Sequence, residues 1–310
     1  KTINRYFPFG RRPILRVQDP DGDALTTEWE YYDNETTDGG AYAQLKLYLG
    51  PDGSWSRHEY DSEGREVKTV TGWLDAGPDA PDNQCRVMTT SFSSDGLTAT
   101  TVETTQGIET ARSYFVRTAD NSQTTRIQCT EPGASIEAAS NRVTVTSYVT
   151  SGPYRGKVSR VEHPDGLRTD YSYDTDSEGN EVVTVSRGVP DGSEGFLSGT
   201  ETVTVTLPFG HAYSHEVRDI ASDLLTSGHI VTDRDSDGRP LRIDYLDGTF
   251  EEMAYSCCGL AMMRDRRGMV TTYTYDALGR RETETRAGIT ITTLHDASGR
   301  VIETLRTGTD

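Results

Sequence analysis

The sequence predicts an all-β chain: an antiparallel meander of hairpin units, each about 20 residues long, coiled into a spiral sheet or a hollow shell-like wall. Three observations lead there. A Tyr-Asp turn motif recurs in phase along the chain. The segments between turns are rich in Thr, Val and Tyr, the residues that favour strands. Only 33% of the 310 residues are hydrophobic, yet there are 16 Tyr, 7 Phe and 3 Trp. Such a chain lacks the apolar content for one thick core but carries too many aromatics to stay disordered.

The repeat is legible as letters. Gly53 is followed by six residues, then Tyr60-Asp61, two residues, and Gly64-Arg65. Gly268 leads in the same way to Tyr275-Asp276 and Gly279-Arg280. Gly166 leads to Tyr173-Asp174, after which the turn is lengthened through Gly179-Asn180. Degenerate copies keep the frame: Gly288 leads to His295-Asp296 and Gly299-Arg300, with His in place of Tyr. Gly248 leads to Tyr255-Ser256 with Cys257-Cys258 in the turn, and Gly107 leads to Tyr114. Asp235 to Arg239 retains the turn with its lead-in shortened by one residue. Positions 235, 256, 276 and 296 are spaced by 21, 20 and 20 residues, a periodicity that marks a repeat architecture.

Each unit reads as one hairpin. Side chains alternate faces along a strand, so Met269, Thr271, Tyr273 and Tyr275 share one face and Val270, Thr272 and Thr274 the other. Asp276 first and Gly279 fourth is the preference of a type I turn whose Asp side chain caps turn amides. The residues after Arg280 run back as the second strand. One hairpin is marginal in water, so stability must come from neighbours, with the Tyr ladder as the source of burial. A long sheet twists, and a twisted meander coils or closes.

These motifs resemble the YD-repeat, or RHS-repeat, family, most clearly over residues 48–67, 160–182 and 228–305. The resemblance implies a spiral β-sheet that winds into a hollow shell, as in secreted toxin complexes, polymorphic toxins and large surface proteins. It implies a non-enzymatic scaffold, secreted or at the cell surface, whose partners are the rest of a larger chain or an enclosed polypeptide cargo. Residues 1–310 are then one continuous array, a fragment of a longer protein, with 75–82 and similar Pro/Gly-rich stretches as insertions between hairpins. The opening Lys-Thr-Ile-Asn-Arg has no initiator Met and no leader, which places any export signal outside it. Self-cleaving family members end their core with Asp-Pro-x-Gly. Here Asp19-Pro20-Asp21-Gly22 stands near the start with repeats following, a position that argues against cleavage.

Candidate chemistry is sparse. The net charge of −18 argues against nucleic acid and anionic membranes as partners. No apolar run is long enough to span a bilayer. Asp233, Asp235, Asp237 and Asp244 match an acidic calcium-loop pattern in letters, but Pro240 and strand-like flanks favour an acidic variant of the turn; calcium is the one cofactor worth testing. Cys257-Cys258 is a structural turn variant, a redox pair or a soft-metal site, with a vicinal disulfide as the main competitor. Cys85 and Cys129 are candidates for a bridge, and sequence does not give the distance between them. His211 and His215 would share a face but lack further zinc ligands. No nucleophile elbow, HExxH, phosphate loop or dinucleotide fingerprint is present, so no catalytic residue is assigned. The alternative functions are a carbohydrate- or cell-surface-binding module using Trp29, Trp55, Trp73 and sheet Tyr, and, behind it, a glycan-active enzyme.

Overall fold

Strands alternate with tight turns along the chain because most Thr/Val/Tyr runs end at an Asp-Gly or other Gly-containing turn. The computed structural model describes residues 2–6 and 12–308; Lys1, 7–11 and 309–310 lie outside the described residues. The chain divides into two compact units, Lys1–Pro164 and Asp165–Asp310. The sequence reading treats 1–310 as a single array; both units consist of the same hairpin meander.

Among the described residues the first unit holds twelve strands, from Thr2–Tyr6 to Val158–Glu162. Each is antiparallel to the next. The second unit holds twelve more, from Arg168–Thr175 to Val301–Thr307, paired in the same serial way. Helix is confined to one turn at Glu35–Asp38 and two 3-10 turns. No helix among the described residues is long and apolar enough to cross a membrane.

The core is thin, as the composition requires. Eight hydrophobic residues are buried among those described, and half of them form one cluster of Trp55, Val70, Cys85 and Val87. Alternation puts Trp55 and Val70 on the same face, and the loop after Thr71 folds over them. The Trp55 indole N–H donates to the Ala76 carbonyl at 2.8 Å, and the Arg57 guanidinium donates to the carbonyls of Pro78 and Ala80. The 75–82 insertion is thereby fixed to the sheet as a lid over its own core. The second unit repeats the device: Arg168, 6% exposed, donates to the carbonyls of Ser193, Glu194 and Gly195 and stacks 4.5 Å from the Phe196 ring.

One feature was not visible as letters. Register shifts fall just before the turn aromatics, between Glu59 and Tyr60, Thr274 and Tyr275, and Leu294 and His295. A bulge there bends the strand and increases local twist.

Candidate functional site

The recurring feature is the turn, and its geometry repeats from copy to copy. In the copy after Tyr275, Asp276 Oδ1 accepts from the backbone N–H groups of Leu278 (2.9 Å) and Arg280 (3.0 Å). Asp276 Oδ2 accepts from Arg280 Nε at 2.6 Å. Gly279 N–H returns to the Asp276 carbonyl at 3.0 Å, and Gly279 has φ +74, the left-handed region that only Gly enters without cost. Asp61 makes the same contacts with Glu63 and Arg65, Asp235 with Asp237 and Arg239, and Asp296 with Ser298 and Arg300. Gly64 and Gly299 take the place of Gly279. Four turns thus share one set of bonds.

These donors hold the Asp carboxyls below their ordinary range. For Asp276 the Arg280 backbone N–H acts most, and with the guanidinium it outweighs the upward pull of desolvation. Asp296 is lowered first by the backbone N–H of Arg300, then by its side chain. For Asp61 and Asp235 desolvation is the largest single influence and pulls upward, yet the Arg and amide donors together prevail.

The Arg of one turn also reaches the next turn along the same sheet edge. Arg65 lies 4.1 Å from the ring of Phe92, the residue before the next turn. Arg239 lies 4.4 Å from the ring of Tyr255 in the same relation. Arg280 donates to the Asp296 carbonyl at 2.8 Å. Where Leu260 replaces the Arg, the following Tyr275 hydroxyl donates to the Leu260 carbonyl at 2.9 Å. The arginine is therefore both the closure of its own turn and the link to its neighbour. Motif and geometry together define one recurring structural unit.

The lead glycines belong to turns at the opposite ends of their strands. Gly268 donates to the Asp265 carbonyl at 2.8 Å, and Asp265 Oδ1 caps Arg267 and Met269. Gly53 closes on Gly50, and Gly166 follows Asp165, whose carboxylate accepts from Leu167 N–H. One assignment shifts. Tyr173 and Asp174 both lie within the strand Arg168–Thr175, and Asp174 pairs with Val182. Asp176 holds the YD turn instead, capping Glu178 and Asn180, with Asn180 Nδ2 standing in for the Arg donor. The strand simply continues two residues farther before the Asp-x-x-Gly rule applies.

The acidic run does not converge. Asp235 is committed to its turn, Asp237 pairs with Arg239 at 3.2 Å, and Asp244 takes Arg242 Nε at 2.9 Å and the Thr232 hydroxyl at 2.6 Å. Asp233 accepts from the next residue's N–H. Among the described residues no three His, Cys, Asp or Glu side chains gather as a metal site. His211 and His215 are likewise separated in role: His215 stacks on His229 across the strands at 5.6 Å, while a Cβ on Gly238 would meet His211. Burial, then the charge of His215, pushes His229 below the ordinary imidazole value, and Glu251 opposes the shift. The three Trp do not form a platform. Trp55 is buried, Trp29 packs between Arg16 and Tyr48, and Trp73 lies after the strand Glu66–Thr71.

Sequence reasoning missed one relay. Ser56 Oγ lies 2.8 Å from His58 Nε2, and His58 Nδ1 lies 2.5 Å from Glu66 Oε1. An i, i+2 Ser-His pair on a strand was the only signal. Ser56 stands in mid-sheet between Tyr48 and Thr71, where backbone donors are committed to the ladder rather than to an oxyanion.

No family model and no curated protein matches the chain. Among solved structures, the crystal structure of TcdB2-TccC3-TEV is similar over 99% of this chain, with 14% identity and a TM-score of 0.37. The crystal structure of TcdB2-TccC3 without its hypervariable C-terminal region is similar over 94% of it, with 11% identity and a TM-score of 0.46. This chain spans 19% and 16% of those chains, less than a fifth of each.

Proposed function

We propose that this chain is a non-enzymatic structural segment of a secreted or cell-surface YD-repeat shell, a wall that encloses or displays a polypeptide cargo. The observation that carries the reading is the link between turns: Arg65, Arg239 and Arg280 each close one YD turn and reach the next, at Phe92, Tyr255 and Asp296. Such links extend a sheet hairpin by hairpin without a large core. That design suits a wall with two accessible faces better than a compact catalytic body. Its partners in this reading are the remainder of its own chain and the cargo. The placement of Ser56 in mid-sheet supports a non-catalytic role.

The test is a low-resolution shape of the longest expressible parent chain, by negative-stain imaging or small-angle scattering. A hollow, curved wall of coiled sheet is the expected result. A compact solid particle with one deep cleft would overturn the shell reading.

A further inference from the structure

Cys257 and Cys258 replace the middle of a YD turn and give it a different chemistry. Their hairpin is tighter than its neighbours, with Ser256 paired directly to Gly259. Both side chains are exposed thiols, and their sulfurs lie 3.0 Å apart. The other two cysteines differ: Cys85 is buried, and Cys129 is half-buried. Cys258 also abuts the next turn, since a Cβ on Gly279 would lie 4.0 Å from its Cβ.

Two outcomes compete for such a pair. Adjacent Cα atoms are about 3.8 Å apart, whereas disulfides usually span about 4.4–6.8 Å, so a vicinal disulfide must be strained. A bridging atom enlarges the ring and relieves that strain. With bonds of roughly 2.3 Å, a tetrahedral centre would separate two sulfurs by roughly 3.8 Å and a right-angled one by roughly 3.3 Å. The observed 3.0 Å is nearer the right-angled case. A tetrahedral zinc site would also need further ligands, and no three-residue cluster of them exists among the described residues.

We propose that the Cys257-Cys258 turn is a dithiol site for a pyramidal, thiophilic trivalent metalloid, with an organoarsenic(III) oxide as the representative ligand. Two arsenic–sulfur bonds form, the arsenic–oxygen bond breaks, and the two thiol protons leave with that oxygen as water. No electrons are transferred.

Phenylarsine oxide added to the whole reduced chain tests this by intact mass. One adduct per chain, with the mass of the reagent less one water, is expected. It should be reversed by a small dithiol but resist an equal thiol concentration of a monothiol. Cys257→Ser and Cys258→Ser should each abolish it, and Cys85→Ser and Cys129→Ser should each keep it, with circular dichroism confirming that the variants fold. Absence of the adduct, its survival in the Cys257→Ser/Cys258→Ser double variant, or equal reversal by monothiol would overturn the proposal. Reversal is measured on the native chain, so that arm stands even where a variant fails to fold.

Discussion

The guanidinium carbon of Arg239 sits 4.4 Å from the centroid of the Tyr255 ring, while Arg239 Nε binds Asp235 Oδ2 at 2.7 Å. One side chain therefore closes its own turn and caps the aromatic of the next. The cation–π contact is worth about 0.5–2 kcal/mol. The partly exposed ion pair adds less. Arg239→Ala should destabilise the second unit by about 1–2 kcal/mol in urea unfolding. Arg239→Lys should recover less than half of that, because an ammonium cannot bond the carboxylate through Nε and lie flat on the ring together. Full recovery by Lys would show that charge alone matters.

The Asp-first, Gly-fourth turn was legible because it is local. The carboxylates of Asp61, Asp235, Asp276 and Asp296 each bond donors at most four positions away. The same local rule identifies Asp176 rather than Asp174, once the Asp is counted back from Gly179 instead of forward from Tyr173. The Arg–aromatic links, the His215–His229 stack and the Arg57 and Arg168 anchors join residues across whole strands or loops. They depend on register, which letters do not supply. The bulges before Tyr60, Tyr275 and His295 are also a property of pairing, so the thin sheet was legible and its bends were not.

Gly188 and Gly199 face each other across two long strands. A Cβ on Gly188 would lie 1.9 Å from the Ser198 carbonyl oxygen, and one on Gly199 would lie 2.1 Å from that of Arg187. Both obstacles are backbone and cannot rotate away. Gly188→Ala should cost about 3 kcal/mol by forcing the strands apart. Gly166→Ala, with open space but φ +82, should cost about 1–2 kcal/mol through the backbone alone. Equal losses in thermal or urea unfolding would contradict the crowding argument.

The turn carboxylates make the fold sensitive to acid. Asp276 and Asp296 are held below the ordinary value by the donors described above. Asp120 falls to about 2, first through the Ser122 backbone N–H and then through the hydroxyls of Thr118 and Ser122. A group depressed in the folded state stabilises it fully above its unfolded value, about 3.9 for Asp. That contribution disappears as pH falls from there through the folded value. The melting temperature should therefore stay level with respect to these groups above about pH 5 and drop steeply toward pH 2. Asp276→Asn keeps an amide-capping oxygen but loses the charge facing Arg280. It should lower the plateau and flatten the acid limb, and an unchanged limb would remove Asp276 from the account.

Calcium should leave stability unchanged. A calcium ion needs six to eight oxygen ligands, several of them from carboxylates pointing at one centre. At the 233–244 segment, Asp235 would have to release two backbone N–H groups and the Arg239 guanidinium, and Asp244 would have to release Arg242 and Thr232. Breaking those bonds opposes binding before any coordination is gained. A ligand at 100 times its dissociation constant would add about 2.7 kcal/mol, which a thermal melt detects easily. Melts in millimolar calcium and in chelator should coincide. A rise with calcium that Asp235→Asn abolishes would mean that the turn reorganises into a cation site and that the Arg239 closure is dispensable there.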